Sequence, residues 1–180
     1  TTGIFQTNIL TGSRLLVTAG PTREAIDPIR FLSNRSSGRM GYAVATAAAE
    51  AGADVTLISG PVNIDATDTI KVINVTSAEQ MHQSVMQKIR STDIFISAAA
   101  VADFKVHKIS EEKIKKSDSA QKLVLENTLD ILSQVTTLND APFTVGFAAE
   151  TENVDINAQK KMHSKNLDMI AANKVGENIG

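Results

Sequence analysis

Short apolar segments rich in β-branched residues alternate along the chain with longer segments of helical periodicity. The sequence predicts strands at residues 14–19, 54–59, 70–75, 93–98, 143–147 and 167–172, and a less regular one at 121–125. It predicts helices at residues 38–51, 77–89, 129–138 and 154–165. Strands that alternate with helices favour right-handed crossovers and parallel pairing. We therefore predict an α/β fold of the Rossmann-like, doubly wound type, with a mainly parallel sheet and helices on both faces.

The composition is that of one globular domain. The chain has 180 residues, of which 42% are hydrophobic and 21% charged, so it can bury a core of ordinary size. Residues 1–13 are polar and are predicted to be a linker, which leaves residues 14–180 as the folded domain. The net charge of -2 predicts no nucleic acid partner, and no apolar run is long enough to cross a membrane. The absence of cysteine excludes disulfides and fits a cytoplasmic protein.

A loop rich in glycine and serine precedes the first predicted helix. Ligands of parallel α/β sheets bind beyond the carboxyl ends of strands, so the loops after Ala19, Ser59, Ala98 and Phe147 are candidates. In the loop 33–41, serines, glycines and arginines surround a helix start, where free N–H groups favour anions. The loop predicts a phosphate site. A well-capped helix that follows a long loop, with no ligand, is the alternative explanation of the same residues.

The pattern of a dinucleotide-binding protein is missing. The chain has no G-x-G-x-x-G sequence, and its second strand ends at Ser59-Gly60-Pro61 without an acidic residue for a ribose hydroxyl. Thr46 stands four residues after Tyr42, where a short-chain dehydrogenase has lysine. An NAD(P)-dependent reductase and a nucleotide-binding module without catalysis stay open as alternatives.

Small residues follow the fourth predicted strand, in the segment 98–104. They leave room for a flat ring on the backbone, whose N–H and C=O groups can pair with base edges. Asp103 is suited to accept a hydrogen bond from a ribose hydroxyl or to bind a metal. A helix-like alanine turn capped by Asp103 is the alternative.

Lysines cluster at two further places. Lys113 lies in the charged segment 110–121, which predicts either a mobile cation for a triphosphate or a solvated run of charge. Lys161 and Lys165 are four residues apart on one helix face, which is either a binding face or an exposed stripe. The three histidines are isolated in sequence and are predicted to be surface residues.

Several segments, taken in order, resemble one family. They are AGPTREAIDPIRFLSNRSSGRMG, SGPV, AAAVADF, EKIKK, GFAAET and KK-x-x-x-KNLD-x-I-x-AN. Together they resemble the phosphopantothenate–cysteine ligase family, and most closely the C-terminal domain of the bacterial bifunctional coenzyme A enzyme. The resemblance covers residues 14–173, and the S-N-x-S-S-G-x-M-G and lysine motifs are highly specific.

This resemblance implies a two-step ligation. The carboxylate of 4′-phosphopantothenate attacks the α-phosphate of CTP to give an acyl-cytidylate and pyrophosphate, and the amine of L-cysteine then displaces CMP. It also implies Mg²⁺, a homodimer, and fusion to or assembly with a flavin-dependent phosphopantothenoylcysteine decarboxylase. Residues 14–180 would be a nucleotide-binding ligase domain that is truncated at its C-terminus, since the family continues beyond the position of Gly180.

The resemblance assigns roles to matching positions. Asn34 is expected to support formation and use of the acyl-cytidylate, and Lys113 its conversion. The positions that match CTP contacts are Ala98, Ala99, Asp103, Lys113, Asp130, Ile131, Phe147, Lys161 and Lys165, with Asp103 also the candidate metal ligand. The positions that match 4′-phosphopantothenate contacts are Gly20, Asn34, Ser36, Ser37 and Gly38. The segment 127–131 is one residue longer than in the family, so Asp130 is aligned with the family aspartate across an insertion.

Overall fold

The computed structural model describes residues 8–116, 120–150 and 152–174. Its strands are β1 (Arg14–Ala19), β2 (Arg23–Ala25), β3 (Phe31–Ser33), β4 (Asp54–Ser59), β5 (Lys71–Asn74), β6 (Ile94–Ser97), β7 (Phe104–Val106), β8 (Leu125–Asn127), β9 (Phe143–Glu150) and β10 (Met169–Lys174). Its α-helices are α1 (Arg39–Glu50), α2 (Ala78–Lys88), α3 (Ile131–Thr136) and α4 (Val154–Ser164). Short 3₁₀ helices occupy Asn8–Leu10 and Ile89–Ser91.

The central sheet has six parallel strands in the order β10-β9-β6-β1-β4-β5. The chain runs outward from β1 through β4 to β5, and then returns through α2 to β6 on the other side of β1. The connections of β1 and β6 therefore leave in opposite directions, which opens a crevice beyond their carboxyl ends. The predicted Rossmann-like α/β fold is confirmed.

Alternate side chains of β1 enter two separate cores. Leu15 and Val17 pack with Tyr42 and Ala45 of α1 on one face of the sheet. Leu16, which is 1% exposed, packs with α2 and α3 on the opposite face. A strand buried on both faces reads as a continuous apolar run, which is why β1 is recognisable in the sequence. Full burial of one such side chain stabilises the fold by about 1.5–3 kcal/mol.

Two antiparallel ribbons lie outside the central sheet. The long segment between β1 and α1 contains the β2–β3 hairpin, which the sequence did not predict. The second ribbon pairs β7 with β8, and β2 packs beside β7. The predicted strand at 121–125 was wrong in position, because Leu125–Asn127 is the stretch that pairs with β7.

The third helix is shorter than predicted and begins after Asp130. The Asp130 carboxylate accepts a hydrogen bond from the Ser133 N–H at 3.0 Å and so caps the helix. The helix α2 begins with a capping box, in which Ser77 and Gln80 bond each other's backbone N–H groups.

The prediction that all three histidines are surface residues was wrong for His82. Its Nε2 lies 2.6 Å from Oε1 of Gln134, between α2 and α3, and its Nδ1 is buried. His107 and His163 are exposed.

At the predicted linker, residues 1–7 lie outside the described ranges, while the N–H of Leu10 donates to the carbonyl of Ala51 at 3.0 Å. Among the helices described, none combines the length and apolar character needed to cross a bilayer.

Candidate functional site

A cleft of about 730 Å³ opens at the carboxyl ends of β6, β9 and β10. The loop that begins at Asn34 forms one wall, and the start of α3 with the end of α4 forms the other. The predicted site residues that line it are Asn34, Ser36, Ala98, Ala99, Asp103, Asp130, Ile131, Phe147, Lys161 and Lys165. Residues from distant parts of the chain are thus brought to one end of the sheet by parallel pairing.

The turn that follows β6 is held by side chains from three segments. The side-chain amide of Asn34 donates to the carbonyls of Val101, at 2.9 Å, and Ala100, at 3.3 Å. The Thr22 hydroxyl accepts from the N–H of Ala102 at 2.9 Å, while the Thr128 hydroxyl donates to the Ala102 carbonyl at 2.6 Å. The chain forms no helix between β6 and β7, so the alternative of a capped alanine helix is wrong.

The alanine N–H groups at the start of this turn are bonded to β1 and to the residue that follows it. The N–H groups of Ala98 and Ala100 donate to the carbonyls of Thr18 and Gly20 at 3.2 and 2.9 Å. The N–H of Ala99 donates to the Thr18 hydroxyl at 3.3 Å. The prediction that N–H groups here can pair with a base edge was therefore wrong at these alanines, since their donors are already satisfied.

Two lysines reach the cleft from the end of α4. Lys161 donates from Nζ to the carbonyl of Phe147 at 2.6 Å, and Lys165 Nζ lies 2.8 Å from Oδ2 of Asp130. Burial acts to raise the pKa of Asp130, but the hydrogen bonds from Lys165 and Ser133 outweigh it and lower the pKa. Both ammonium groups are thereby fixed in the cleft wall, and the alternative of an exposed stripe is wrong.

Gly20 and Gly38 do not line the cleft but lie against each other and against Val62. Gly38 caps α1 with φ 79°, and a Cβ added there would lie 2.8 Å from Cγ1 of Val62. A Cβ on Gly20, where φ is 75°, would lie 2.9 Å from the same atom. These glycines permit close packing of the loop on its neighbours, which is a structural need.

The two serines of the loop accept hydrogen bonds from the loop itself. Ser36 Oγ accepts from the N–H of Gly38 at 3.3 Å, and Ser37 Oγ from that of Arg39 at 3.5 Å. Both serines also line a smaller cavity of about 300 Å³, together with Arg23, Arg39 and residues 61–64. Because Ser36 lines both spaces, the smaller cavity adjoins the cleft.

Lys113 does not line the cleft. Its side chain is exposed, in a segment whose neighbouring residue Ile114 is bonded to the β2–β3 turn. Asp103 is also exposed, at the mouth of the cleft. In the part of the chain that the structure describes, no three His, Asp or Glu side chains converge as a preformed metal site.

The cleft includes residues that sequence reasoning did not select. They come from the ends of β8, β9 and β10 and from the start of α1, and they are Asn127, Thr128, Ala149, Asn173 and Met40. The rule that ligands bind at carboxyl ends of parallel strands gives a signal for Ala149 and Asn173. Asn127 and Thr128 are placed by the β7–β8 ribbon, whose pairing is not visible in the sequence, whereas Met40 lies in the first turn of α1.

Comparison with known proteins identifies the family. The family model described as the DNA/pantothenate metabolism flavoprotein C-terminal domain matches residues 10–180. A protein of Vibrio cholerae, named coenzyme A biosynthesis bifunctional protein CoaBC, is 51% identical over 174 residues, which are 95% of this chain and 44% of that protein. The protein of the same name from Haemophilus influenzae is 52% identical over 167 residues, 92% of this chain and 42% of its own length. The chain thus spans less than half the length of these relatives.

Solved structures agree with this result. The crystal structure of the C-terminal domain of a coenzyme A biosynthesis bifunctional protein CoaBC superposes with a TM-score of 0.82 at 43% identity, covering 92% of this chain and 79% of that one. A Cab2 structure in complex with phosphopantothenate-cysteine shares the fold, with a TM-score of 0.76 at 17% identity, over 94% of this chain and 73% of that one. The resemblance found in the sequence is confirmed, and the chain belongs to the family of the DNA/pantothenate metabolism flavoprotein C-terminal domain.

Proposed function

We propose that this domain ligates 4′-phosphopantothenate to L-cysteine in coenzyme A biosynthesis, with CTP as the activating nucleotide. The observation that carries the proposal is the gathering of eight of the nine residues matched to CTP contacts, all except Lys113, in one cleft of about 730 Å³. This volume is typical of sites for ligands of nucleotide size. The relatives named CoaBC and the ligand of the Cab2 structure support the choice of substrates.

The proposed reaction has two steps. A carboxylate oxygen of 4′-phosphopantothenate attacks the α-phosphorus of CTP, the bond to the β-phosphate bridge breaks, and pyrophosphate leaves. The resulting acyl-cytidylate is attacked at its carbonyl carbon by the cysteine amine, CMP leaves, and the amine loses a proton to solvent. Neither step needs a covalent enzyme nucleophile, so catalysis rests on positioning and on charge stabilisation.

The first step brings two anions together, and the lysines of α4 support it. Lys161 and Lys165 are fixed by the Phe147 carbonyl and the Asp130 carboxylate, so their ammonium groups lie ready in the cleft wall. A triphosphate that enters the cleft would compete with Asp130 for Lys165. Phosphate oxygens carry more charge than one carboxylate, which favours the exchange.

The turn after β6 supports recognition of an amino-bearing base. Because the N–H groups of Ala98 and Ala99 are already bonded, these two residues can contact a base through their carbonyl oxygens but not through backbone donors. A carbonyl oxygen can accept a hydrogen bond from the exocyclic amine of cytosine. The O4 of uracil is itself an acceptor and cannot donate one. Such a contact would favour CTP over UTP, and the family resemblance supports CTP over ATP.

The acyl substrate, 4′-phosphopantothenate, is proposed to bind at the glycine- and serine-rich loop 33–41. Ser36 connects the cleft to the smaller cavity, where Arg23 and Arg39 supply positive charge. The substrate would place its phosphate near these arginines and its carboxylate near Asn34, where the two anions meet. Gly20 and Gly38 would contribute by shaping the loop.

Mg²⁺ fits this arrangement only as an ion carried by the nucleotide. Asp103 offers a carboxylate at the mouth of the cleft, and Mg²⁺ prefers one or two carboxylates together with phosphate oxygens and water. The ion would screen the triphosphate when bound.

The two ribbons support a homodimer. Phe31, Phe104 and Val124 are 48%, 49% and 69% exposed, and they lie on or beside adjoining ribbons. A second protomer that covers these side chains would bury an exposed apolar patch. The bifunctional relatives support fusion to, or assembly with, a second enzyme, which the family resemblance implies is a flavin-dependent decarboxylase in the cytoplasm.

The deciding experiment mixes the full-length protein with 4′-phosphopantothenate, CTP and Mg²⁺ in the absence of cysteine. We expect release of pyrophosphate, and release of CMP after cysteine is added. Binding of CTP without cleavage would instead indicate a nucleotide-binding module. Tight binding of NADPH with no pyrophosphate release would indicate a reductase.

A further inference from the structure

The turn between β2 and β3 buries a carboxylate that the proposed reaction does not use. The side chain of Asp27 has no exposed surface. It accepts hydrogen bonds from the backbone N–H groups of Ile29, at 2.9 Å, and Arg30, at 2.8 Å, and from Nε of Arg30 at 3.0 Å. The guanidinium of Arg30 holds the pKa of Asp27 well below its usual range, so the buried carboxyl is charged.

The same carboxylate bonds a segment far along the chain. Oδ2 of Asp27 accepts from the N–H of Ile114 at 3.1 Å, across 87 residues. Nη2 of Arg30 donates to the carbonyl of Ile114 at 2.8 Å. The N–H of Ser110 donates to the carbonyl of Ile26 at 3.0 Å. The turn therefore holds the segment 110–114 at both of its ends.

Lys113 lies between these attachment points, directly before Ile114. Residues 111–113 are exposed and belong to no helix or strand. An exposed segment of this kind has a high conformational entropy unless its backbone is fixed. The three hydrogen bonds fix the backbone where the lysine side chain begins, which reduces the entropy lost when Lys113 contacts a ligand.

We propose that Asp27 is a positioning residue that acts through Lys113. Its buried carboxylate fixes the backbone of Ile114 and so limits the positions from which the exposed Lys113 side chain can reach the reacting groups. The inference rests on the proposed function, because it assigns Asp27 to the step that Lys113 supports.

The first test measures the attachment itself. Asp27→Asn keeps the size of the side chain, but it turns one acceptor oxygen into a donor that faces other donors. Hydrogen exchange at the Ile114 amide should become roughly tenfold faster or more, while amides of β1 stay protected. Unchanged exchange at Ile114 would overturn the proposal. Asp68→Asn, in an exposed loop, is the matched control and should leave exchange unchanged.

The second test measures the two chemical steps separately. Asp27→Asn should slow consumption of the acyl-cytidylate by roughly tenfold or more, and slow pyrophosphate release by less, because misplacing a catalytic group affects mainly the step it serves. In a Lys113→Gln background, Asp27→Asn should add no further loss, since residues that act together give non-additive effects. If the rate losses of the two substitutions multiply fully in the double variant, the proposal is overturned. It is also overturned if Asp27→Asn slows both steps equally.

A second pair of variants covers the case in which Asp27→Asn does not fold. Ile114→Pro removes the N–H donor and leaves Asp27 paired with Arg30, whereas Ile114→Ala shortens the side chain and keeps the donor. Only Ile114→Pro should reproduce the slow second step, and equal rates for the two variants would overturn the proposal. A wild-type protein that releases no pyrophosphate would refute the proposed function. If the wild type releases pyrophosphate but these variants give the contradicting results, only the role of Asp27 is refuted.

Discussion

The side-chain amide of Asn34 donates a hydrogen bond to the main-chain carbonyl of Val101 at 2.9 Å. The loop that starts the first helix, which forms one wall of the cleft, is thereby fastened to the turn at the end of β6. Asn34 is therefore in a position to act on the shape of the site as well as on the ligand.

Replacing Asn34 by aspartate should be more harmful than replacing it by alanine. The introduced carboxylate would face the carbonyl oxygens of Ala100 and Val101 and repel the turn, whereas alanine only removes the bond. We expect pyrophosphate release to fall roughly a hundredfold for Asn34→Asp and less for Asn34→Ala. Initial rates at saturating CTP measure this, with the exposed Asn139→Asp as control. Equal losses for the two Asn34 variants would show that repulsion by the introduced carboxylate adds nothing to the loss of the bond.

Loss of the Lys113 ammonium group should separate the two steps. Lys113→Gln should still release pyrophosphate and should accumulate the acyl-cytidylate, because the cysteine step then lacks its cation. Quenched reactions analysed by mass spectrometry would detect the intermediate. Lys122→Gln, another exposed lysine, is the control and should not accumulate it. Turnover of Lys113→Gln at the wild-type rate would remove Lys113 from the mechanism.

Lys165 should contribute to CTP affinity through its fixed position. A hydrogen bond between charged groups contributes about 1.5–3 kcal/mol, so Lys165→Gln should weaken CTP binding roughly ten- to hundredfold. Calorimetric titration with CTP measures the dissociation constant. Lys160→Gln lies on the same helix at an exposed position and should bind CTP as the wild type does. An equally small loss of CTP affinity in both variants would indicate only a general effect of charge.

The sheet and the cleft were predictable because both follow from local sequence. Strands β1 and β4 are buried on both faces and so read as short apolar runs, and parallel pairing then places their carboxyl ends together. The turn after β6 could be selected as a site by the same rule. Lys161 and Lys165 could be paired because helical spacing places them on one face.

The ribbons were not predictable from the same signals. The strands β2, β3, β7 and β8 have three residues each and leave apolar side chains such as Phe31 and Phe104 exposed. Formation of these ribbons depends on contacts between distant segments, such as the hydrogen bond from the Ile114 N–H to Asp27. Periodicity carries no information about such pairs. For the same reason, the bond from Asn34 to Val101 could not be foreseen from either segment alone.

Acid should weaken the fold through Asp93. Hydrogen bonds from the Arg14 side chain, at 2.7 and 3.0 Å, lower the pKa of Asp93 to about 2. A carboxyl whose pKa is lower in the folded state adds stability above its unfolded pKa of about 4, and this stability is lost as pH falls towards 2. The difference in unfolding free energy between wild type and Asp93→Asn should therefore shrink from pH 6 to pH 3. Urea titrations measure it, with Asp140→Asn as control, and a constant difference would contradict the assignment.

Gly38 should be sensitive to a single methyl group for two separable reasons. Its φ of 79° is strained for alanine, and the added Cβ would lie 2.8 Å from Cγ1 of Val62. Gly12 has φ 83° with no atom near its Cβ position, so Gly12→Ala isolates the backbone strain, about 1–2 kcal/mol. Gly38→Ala adds overpacking, which costs about 1–3 kcal/mol more. Chemical denaturation of the two variants gives the difference directly. Equal losses would mean that Val62 moves aside freely, whereas a larger loss for Gly38→Ala, relieved by Val62→Ala, would assign the excess to that contact.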